Sequence, residues 1–503
     1  MVDPITIEEQ SATPTIAKES SFLGDVVKLV SGTTIAQIIS ILVSPILARL
    51  YTPEAIGLAS IFISITAIFG VIACLRYEHS IMLPDRDDEA ANMLGVSLGL
   101  ATLVSAVTIP IIVFGGQILI MWLNTPQLSP YLWLLPPSIF LGGVYLALNY
   151  WDTRKKKFGR LSIARISSSL STTTTQLGVG GAGYAFGGTL IIARVIGVFV
   201  SSTILGGLTW RDDRRLLTKS INWKDMLNGI RRYKKFPIYD SWSALLNTIS
   251  WQLPIFLLTA FFSPAIAGFY ALGHRVLRIP MSLIGQSMGQ VFYQRAAFAS
   301  NEGRLAEVVE NVYQRLVKYG MFPMLLLSII GADLFSLVFG TEWREAGIYV
   351  QILSIWTFFW FISSPLSTLF RVLEKQEVSL IINVIIFITR FVSLVIGGLL
   401  GNSLLAISLF AITGTLVYGY YSFAIIVEAG VSLTKAVSIL LSNFLLFVPV
   451  GVILLFEKYL GINIWLHLLT AAIFLFLYFT YILLTDPQVM RYVIRFVPIG
   501  NKH

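Results

Sequence analysis

The chain has 503 residues, of which 55% are hydrophobic and 13% charged, and its mean hydropathy is +0.77. Soluble domains carry about 25% charged residues, so this composition excludes a large soluble protein and indicates an integral membrane protein. The net charge of +9 would suit a nucleic-acid partner, but the basic residues fall mostly in alternate loops without interleaved aromatic residues, so no such partner is expected.

The first twenty residues are polar and include Glu8 and Glu9. They lack the basic stretch followed by an apolar stretch that marks a cleaved signal peptide, so residues 1–20 are predicted to form a disordered cytoplasmic tail. Cys74 is the only cysteine, which excludes a disulfide within the chain.

Hydrophobic stretches recur at lengths near the roughly 20 apolar residues that a helix needs to cross a bilayer. We predict fourteen crossings, grouped as six, six and two. They lie near 26–50, 55–79, 90–114, 131–153, 160–182 and 187–208, then near 237–261, 266–292, 311–338, 346–370, 377–400 and 404–427, and finally near 434–456 and 464–484. The predicted fold class is an all-α integral membrane protein with fourteen transmembrane helices, in two six-helix lobes plus two C-terminal helices.

Basic residues cluster in the loops after even-numbered crossings, which predicts that these loops are cytoplasmic. The clusters are Arg154, Lys155, Lys156, Lys157 and Arg160; Arg211, Arg214, Arg215, Lys219, Lys224, Arg231, Arg232, Lys234 and Lys235; and Arg295, Arg304, Arg371, Lys375 and Lys435. Both termini are therefore predicted to be cytoplasmic. The most basic link, 209–236, is predicted to be an amphipathic segment on the anionic membrane surface, with regulation or partner docking as the alternative.

A Pro-x-x-x-Gly motif follows the first crossing of each six-helix set, at Pro53 to Gly57 and at Pro264 to Gly268. An even number of crossings separates the copies, so the lobes share one orientation. They are predicted to be related by a pseudo-two-fold axis along the membrane normal, with a substrate site between them. The predicted domains are the tail 1–20, an N-lobe 21–208, the link 209–236, a C-lobe 237–427 and a last pair of helices with a tail, 428–503.

Arginine residues interrupt several of the predicted crossings. A charge deep in a bilayer is costly unless it faces protein or water, so such residues often mark a site. The deep positions are Arg194, Arg275, Arg278 and Arg390; Arg165 is intermediate, and Arg49 and Arg76 lie near helix ends. Because few acidic residues accompany them, an anionic ligand is the expected partner.

His274, Arg275 and Arg278 have the spacing of one helix face, and Pro280 is predicted to kink the helix beside them. Guanidinium groups present a planar fork of donors that matches phosphate oxygens, so a diphosphate fits this cluster. The alternative is internal pairing of the arginines with acidic residues or helix-end carbonyls. The acids available for it are Glu78, Asp240 and Asp333, of which Glu78 and Asp240 are also candidates for ion coupling.

The fifth crossing is rich in hydroxyl groups, at Ser167, Ser168, Ser169, Ser171 and Thr172 to Thr175. This pattern fits either close helix packing or a water-exposed helix face that contacts sugar hydroxyls. The glycines from Gly178 to Gly188 lack the lysine and serine of a phosphate loop and are predicted to form a tight hairpin. No catalytic or metal-binding constellation occurs, so an enzyme is not expected.

Three motifs resemble those of the polysaccharide transporter family, the Wzx-type lipid-linked oligosaccharide flippases of the multidrug/oligosaccharidyl-lipid/polysaccharide exporter superfamily. They are Ser31-Gly-Thr-Thr-Ile-Ala-Gln37, Leu75-Arg-Tyr-Glu78 and Phe339-Gly-Thr-Glu-Trp-Arg-Glu-Ala346. The resemblance implies two lobes around a cationic lumen in the bacterial inner membrane, which open alternately to either side. Of the arginines that related flippases use, only Arg275 and Arg278 correspond in helix and depth.

The resemblance also implies that an undecaprenyl-diphosphate-linked oligosaccharide moves from the inner to the outer leaflet. Arg275 and Arg278 would bind the diphosphate, with His274, Arg165, Arg194 and Arg390 contributing. Membrane lipids and a polysaccharide polymerase machinery are the other expected partners; no cofactor is expected beyond coupling to H⁺ or Na⁺. The alternatives are a multidrug exporter of the same superfamily and a membrane polysaccharide polymerase or ligase.

Overall fold

The computed structural model describes the backbone of residues 16–282 and 286–485, and side chains from residue 33 onward except those of 283–288, 290 and 291. Within these ranges the chain forms α-helices and no strand, which confirms the all-α fold class. The predicted tail lies outside the described residues up to residue 15, and a helix already begins at Ile16.

Seventeen α-helices are present in the described ranges. They are α1 Ile16–Leu50, α2 Pro53–Val71, α3 Asp87–Leu123, α4 Leu135–Arg154, α5 Phe158–Gly181, α6 Gly187–Ser220, α7 Trp223–Arg232, α8 Ser241–Phe261, α9 Pro264–Leu277, α10 Gln286–Asn301, α11 Leu305–Phe339, α12 Arg344–Leu366, α13 Leu369–Val372, α14 Gln376–Leu399, α15 Ser403–Glu428, α16 Leu433–Tyr459 and α17 Ile464–Thr485. A short 3₁₀ helix, Tyr77–Met82, lies between α2 and α3, and a π-turn, Phe236–Asp240, precedes α8.

Every predicted crossing contains α-helix, and twelve spans in the described residues are long and apolar enough to cross a membrane. The two crossings that do not reach this standard are α5, with its row of hydroxyl residues, and the eighth stretch, which is divided between α9 and α10. The count of fourteen therefore stays a prediction. The second crossing is shorter than predicted, because α2 ends at Val71 and Tyr77–Met82 is a separate short helix.

The eighth predicted crossing is interrupted near Pro280. Helix α9 ends at Leu277, and Arg278 is its C-cap residue. Proline lacks an N–H group and its ring crowds the carbonyl group four residues earlier, so Pro280 favours a break or kink here, and residues 279–282 continue only as short helical turns. The two arginines of this stretch consequently lie at the end of a helix and not in the middle of a longer one.

Contacts group the chain into two compact units, each described here separately. The first unit comprises residues 1–47, 62–118 and 128–249, and the second comprises 48–61, 119–127 and 250–503. The domain boundaries given above stay predictions.

In the first unit, a core around the fully buried Trp151 joins helices α3 to α6 with the short helix Tyr77–Met82. The basic residues after α4 pair with acids of the same unit. Arg160 lies 3.1 Å from the buried Asp152, and Arg154 lies 3.0 Å from Asp87. These cations therefore hold the helix ends together in addition to indicating topology.

The basic link is helical for most of its length, since α6 runs to Ser220 and α7 follows. The Asn222 side chain accepts a hydrogen bond from the Asp225 N–H and caps α7. Met226 and Ile230 pack against the core of the first unit, whereas the Trp223 side chain is 76% exposed. Part of the apolar face that was predicted to lie on the membrane surface therefore packs against protein. For the exposed Trp223, anchoring at the membrane surface stays a prediction.

In the second unit, the last two helices pack against α11 through aromatic rings. The Phe322 ring stacks on Tyr478 with 4.1 Å between centroids, and Phe447 meets it edge-on at 5.2 Å. Gly57 and Gly268, the glycines of the repeated motif, also meet in this unit. A Cβ atom added to Gly57 would overlap the carbonyl oxygen of Pro264, and one added to Gly268 would overlap that of Pro53. The first turns of α2 and α9 therefore touch backbone to backbone.

Candidate functional site

Two exposed arginines stand at the C-terminal end of α9. Arg275 lies in its last turn and Arg278 caps it, three residues later, so both project from one side of the helix. No described residue forms a hydrogen bond or ion pair with the Arg278 guanidinium. The carbonyl end of the helix favours positive charge at this position. An exposed pair of guanidinium groups at this spacing can bind a diphosphate with a bidentate contact to each phosphate.

His274 does not share this exposed environment. Its ring stacks on Tyr270 at 5.4 Å and lies parallel to Trp356 and Trp360 at about 6 Å. The structure therefore places the histidine in an aromatic cluster, with its Nε2 buried, and separates it from the outward-facing arginines. Its predicted contact with substrate stays a prediction that this arrangement does not favour.

Arg390 is also an interior residue. Its side chain is 2% exposed and its Nη1 donates to the Ser250 carbonyl oxygen at 2.6 Å. Trp251 and Phe410 face the guanidinium at 4.6 and 5.5 Å from their ring centroids. The α14 face that carries Arg390 packs against α8 and α15. The contribution of Arg390 to substrate binding stays a prediction that this packing does not favour.

The arginines of the first unit differ in exposure. Arg194 on α6 has a solvent-accessible side chain that lies near Tyr145, and it forms no ion pair with any described residue. Arg165 on α5 is half-buried and donates to the hydroxyl groups of Thr33, at 2.5 Å, and Tyr145, at 3.4 Å. Hydroxyl partners leave the positive charge of Arg165 without a counter-ion among the described residues, so it can still attract an anion.

Arg49 has a structural contact. Its guanidinium donates to the carbonyl oxygens of Leu337 at 2.7 Å and Val338 at 3.2 Å, in the last turn of α11. These carbonyl groups have no partner within their own helix, so the arginine caps its C-terminus. Arg49 lies near a helix end, as the sequence predicts, and its guanidinium pairs with helix-end carbonyl groups.

The short helix after α2 brings together an ionisable cluster of Arg76, Glu78, His79 and Asp240, which we call the Glu78 cluster. Arg76 Nε lies 2.9 Å from Asp240, and its Nη1 lies 3.5 Å from Glu78. His79 Nε2 lies 3.9 Å from both carboxylates. Arg76 and Asp240 are 164 positions apart in the chain, so only the fold reveals their pairing.

The Glu78 cluster is strained and incompletely paired. Arg76 adopts a left-handed backbone conformation, with φ of 63°, which costs about 1–2 kcal/mol for a residue with a side chain. Glu78 is fully buried, and neither carboxylate oxygen accepts a hydrogen bond from another side chain among the described residues. Burial raises the pKa of Glu78 to about 7, although its own backbone N–H and then the nearby Arg76 oppose this shift. Burial and then Arg76 lower the pKa of His79, so this histidine is neutral at pH 7.

Replacing Glu78 with glutamine should stabilise the protein above pH 7 and flatten its pH dependence. The folded chain keeps the Glu78 proton up to about pH 7, whereas the unfolded chain releases it near pH 4.5. The free energy of unfolding should therefore fall as pH rises from about 4.5 to 7, by up to about 3 kcal/mol. Thermal unfolding between pH 5 and 8 measures this, with the exposed Asp85→Asn as control. Equal slopes in wild type and Glu78→Gln would contradict the assignment.

The hydroxyl groups of α5 serve helix packing at two positions at least. A Cβ atom added to Gly197 on α6 would overlap the Thr172 hydroxyl and lie 3.2 Å from the Ser168 hydroxyl oxygen. Small residues let the two helix backbones approach closely. The packing interpretation is confirmed for Ser168 and Thr172. For the other hydroxyl residues of α5, a water-exposed face that contacts sugar stays a prediction.

Comparisons with known proteins extend this description. A family model described as "Polysaccharide biosynthesis protein" matches residues 46–348, more than half of the chain. The chain is 20% identical over 369 residues to the lipopolysaccharide biosynthesis protein WzxC of Escherichia coli (strain K12), and the match covers 71% of each protein.

Solved structures of two transporters share the fold. The lipid II flippase MurJ, in an inward closed conformation, matches with a TM-score of 0.70 at 13% identity, over 90% of this chain and 98% of that one. An inward-facing multidrug resistance MATE family transporter of the MOP superfamily matches with a TM-score of 0.59 at 14% identity, over 81% and 98% of the two chains. Together with the family match, these likenesses confirm the predicted family. The chain belongs to the polysaccharide biosynthesis protein family and has the fold of the MOP-superfamily flippases and transporters.

Proposed function

We propose that this protein is a flippase that moves an undecaprenyl-diphosphate-linked oligosaccharide from the inner to the outer leaflet by alternating access. The observation that carries the proposal is the exposed guanidinium pair at the end of α9. Arg278 has no partner among the described residues, and Arg275 projects from the same side of the helix. Membership of a polysaccharide biosynthesis family supports a sugar-bearing substrate, and the negative charge of a diphosphate complements the positive charge of these arginines.

The prenyl chain of such a substrate can stay in the lipid while the protein handles its polar part. Arg194 and Arg165 in the first unit are the further cationic groups that the headgroup could meet. Moving the diphosphate and sugars across the bilayer without protein would expose several charges and hydroxyl groups to hydrocarbon. Guanidinium groups and hydroxyl groups reduce this cost by replacing water around the headgroup.

A multidrug exporter is the second candidate, because the MATE family transporter shares the fold. An organic cation requires exposed carboxylates. Of the carboxyl groups near Arg76, Asp240 already pairs with it at 2.9 Å, and Glu78 is fully buried and therefore closed to a ligand. The exposed arginines of α9 would repel a cationic drug. The anionic lipid-linked substrate therefore agrees better with the described side chains.

Coupling to an ion forms a further part of the proposal. The Glu78 cluster contains a carboxyl group whose pKa of about 7 lets it gain or lose a proton near neutral pH. Its loss of a proton would add negative charge beside the Arg76–Asp240 pair and change the strength of that contact. A proton gradient could thereby bias one conformation over another, which requires a difference in proton affinity between the two.

Reconstitution tests the proposed function. The purified chain is placed in vesicles that carry an undecaprenyl-diphosphate-linked oligosaccharide, and the fraction accessible from outside is followed over time. We expect faster translocation than in protein-free vesicles. Absence of translocation together with export of a cationic dye would favour the exporter, and elongation of the sugar chain would favour a polymerase.

A further inference from the structure

Both arginines of the proposed diphosphate site lie in the last turn of α9 or directly after it. Helix α9 ends at Leu277 with Arg278 as its C-cap residue, and the chain continues only in short helical turns through residue 282. Helix ends fray more readily than helix interiors, because the last turn lacks part of its hydrogen bonding. A diphosphate site needs its guanidinium groups held in a fixed arrangement. The contacts that hold this turn therefore affect binding directly.

Four aromatic rings from two helices stack beside this turn, and we call them the aromatic ladder. Its members are Tyr270 and His274 on α9 and Trp356 and Trp360 on α12. The members of each pair are four residues apart and so share one face of their helix. The His274 ring stacks on Tyr270 with 5.4 Å between centroids. It also lies nearly parallel to Trp356 and Trp360, at 6.0 and 6.1 Å, so His274 contacts each of the other three rings.

The aromatic ladder is part of a tight interface between α9 and α12. Trp356 is fully buried, and Tyr270 is 3% exposed. A Cβ atom added to Gly273 would lie 3.2 Å from the Ala346 carbonyl oxygen, so the two backbones approach closely at this point. Rings at these separations attract one another beyond the apolar area that they bury. Rotation of α9 about its own axis would separate the rings, so the ladder opposes such a rotation.

His274 connects the aromatic ladder to the two arginines through the backbone of a single helical turn. It directly precedes Arg275 and lies four residues before Arg278. A rotation or fraying of the helix at His274 would therefore move both guanidinium groups. The Nε2 atom of His274 is buried and forms no hydrogen bond with any described residue, so it is not presented to a ligand. The side chain of His274 acts through its ring contacts.

We propose that the aromatic ladder fixes the rotation of α9 and thereby holds Arg275 and Arg278 in the arrangement that binds a diphosphate. His274 is then a positioning residue that does not touch the substrate. This role rests on the proposed function, in which the two arginines bind the diphosphate of the lipid-linked oligosaccharide. An arrangement that is already formed before binding lowers the entropy cost of ordering the side chains, so loss of a ring should weaken binding.

Calorimetric titration of the purified full chain with geranyl diphosphate tests the aromatic ladder. This soluble prenyl diphosphate supplies the charged group without the sugars or the long lipid chain. His274→Phe keeps a ring but removes both nitrogen atoms, and should bind with the wild-type dissociation constant. His274→Leu removes the ring, and should raise the dissociation constant about 3- to 10-fold. Equal dissociation constants in wild type and His274→Leu, or an equal rise in both variants, would overturn the proposal.

Further variants separate positioning from a general loss of stability. Phe447→Leu removes an edge-on ring contact on α16, and should lower the unfolding temperature but leave the dissociation constant unchanged. A rise in Phe447→Leu equal to that in His274→Leu would assign the effect to stability and refute the ladder. If His274→Leu does not fold, Tyr270→Leu removes the neighbouring ring and should raise the dissociation constant by the same factor; a wild-type value there would also refute it.

The arginines themselves distinguish failure of the ladder from failure of the proposed function. The double variant Arg275→Ala with Arg278→Ala should bind geranyl diphosphate far more weakly than wild type. Equal binding by wild type and this double variant would contradict the proposed function itself, and the role of the ladder with it. Binding that depends on the arginines but not on the rings would contradict the ladder alone.

Discussion

Translocation of the lipid-linked oligosaccharide should fall about 100-fold or more when Arg275 and Arg278 are both replaced by alanine. Each guanidinium can make a charge-assisted contact with the diphosphate worth about 1.5–3 kcal/mol, and the losses add to at least two powers of ten in affinity. Both side chains are exposed, so their removal should leave folding nearly unchanged. The initial rate of translocation in vesicles, at substrate concentrations below saturation, measures the effect.

The contributions of positive charge and of donor geometry can be measured separately at Arg275 and Arg278. The double lysine variant should retain part of the activity, because lysine keeps the positive charge but lacks the planar fork of donors. Arg231→Ala on α7 removes another exposed arginine outside the proposed site and should keep the wild-type rate. A double alanine variant that folds and translocates at the wild-type rate would remove these arginines from the mechanism.

Alanine at Gly57 should slow translocation about 5- to 150-fold. The added Cβ atom would overlap the Pro264 carbonyl oxygen, so the first turns of α2 and α9 would have to move apart. Overpacking of this kind costs about 1–3 kcal/mol. This cost lowers the population of the conformation in which α2 and α9 touch by about 5- to 150-fold. A transport cycle that passes through this arrangement slows accordingly. Vesicle translocation rates and the unfolding temperature are measured together.

A matched glycine on the same helix provides the control. An added Cβ atom at Gly70 meets no atom within 4 Å, so Gly70→Ala should fold and translocate as wild type does, with a small gain from helix propensity. Gly268→Ala should reproduce the Gly57→Ala defect, because its added Cβ atom would overlap the Pro53 carbonyl oxygen. Equal translocation by Gly57→Ala and Gly70→Ala would show that the close contact is not needed for transport.

The repeated Pro-x-x-x-Gly motif illustrates what a local pattern can predict. The prolines begin α2 and α9 as expected from their preference for the first helical turn. The need for glycine arises from the contact between the two first turns, which are far apart in the chain. The pattern therefore identified equivalent positions, and the structure explains why neither position accepts a side chain.

For the charged residues too, the sequence predicted positions, and only the structure showed the contacts. Spacing predicted that His274, Arg275 and Arg278 share a face, yet the structure exposes the arginines and stacks the histidine between aromatic rings. The only sequence feature that singled out Arg390 was its position in the middle of a hydrophobic stretch. That position does not tell whether the side chain faces water or packs among aromatic rings. No local pattern linked Arg76 with Asp240.

The amino-acid sequence by itself determined the membrane environment, the helical class, most helix positions and the family. These follow from local properties, because a bilayer requires long apolar helices whose backbone groups bond internally. Tertiary structure alone decided which helix face each arginine occupies and which groups neutralise it. Helices that are apolar on nearly all sides carry no periodic signal for the face that meets protein, lipid or water. Partners such as Ser250 for Arg390 are therefore specified only when distant helices pack together.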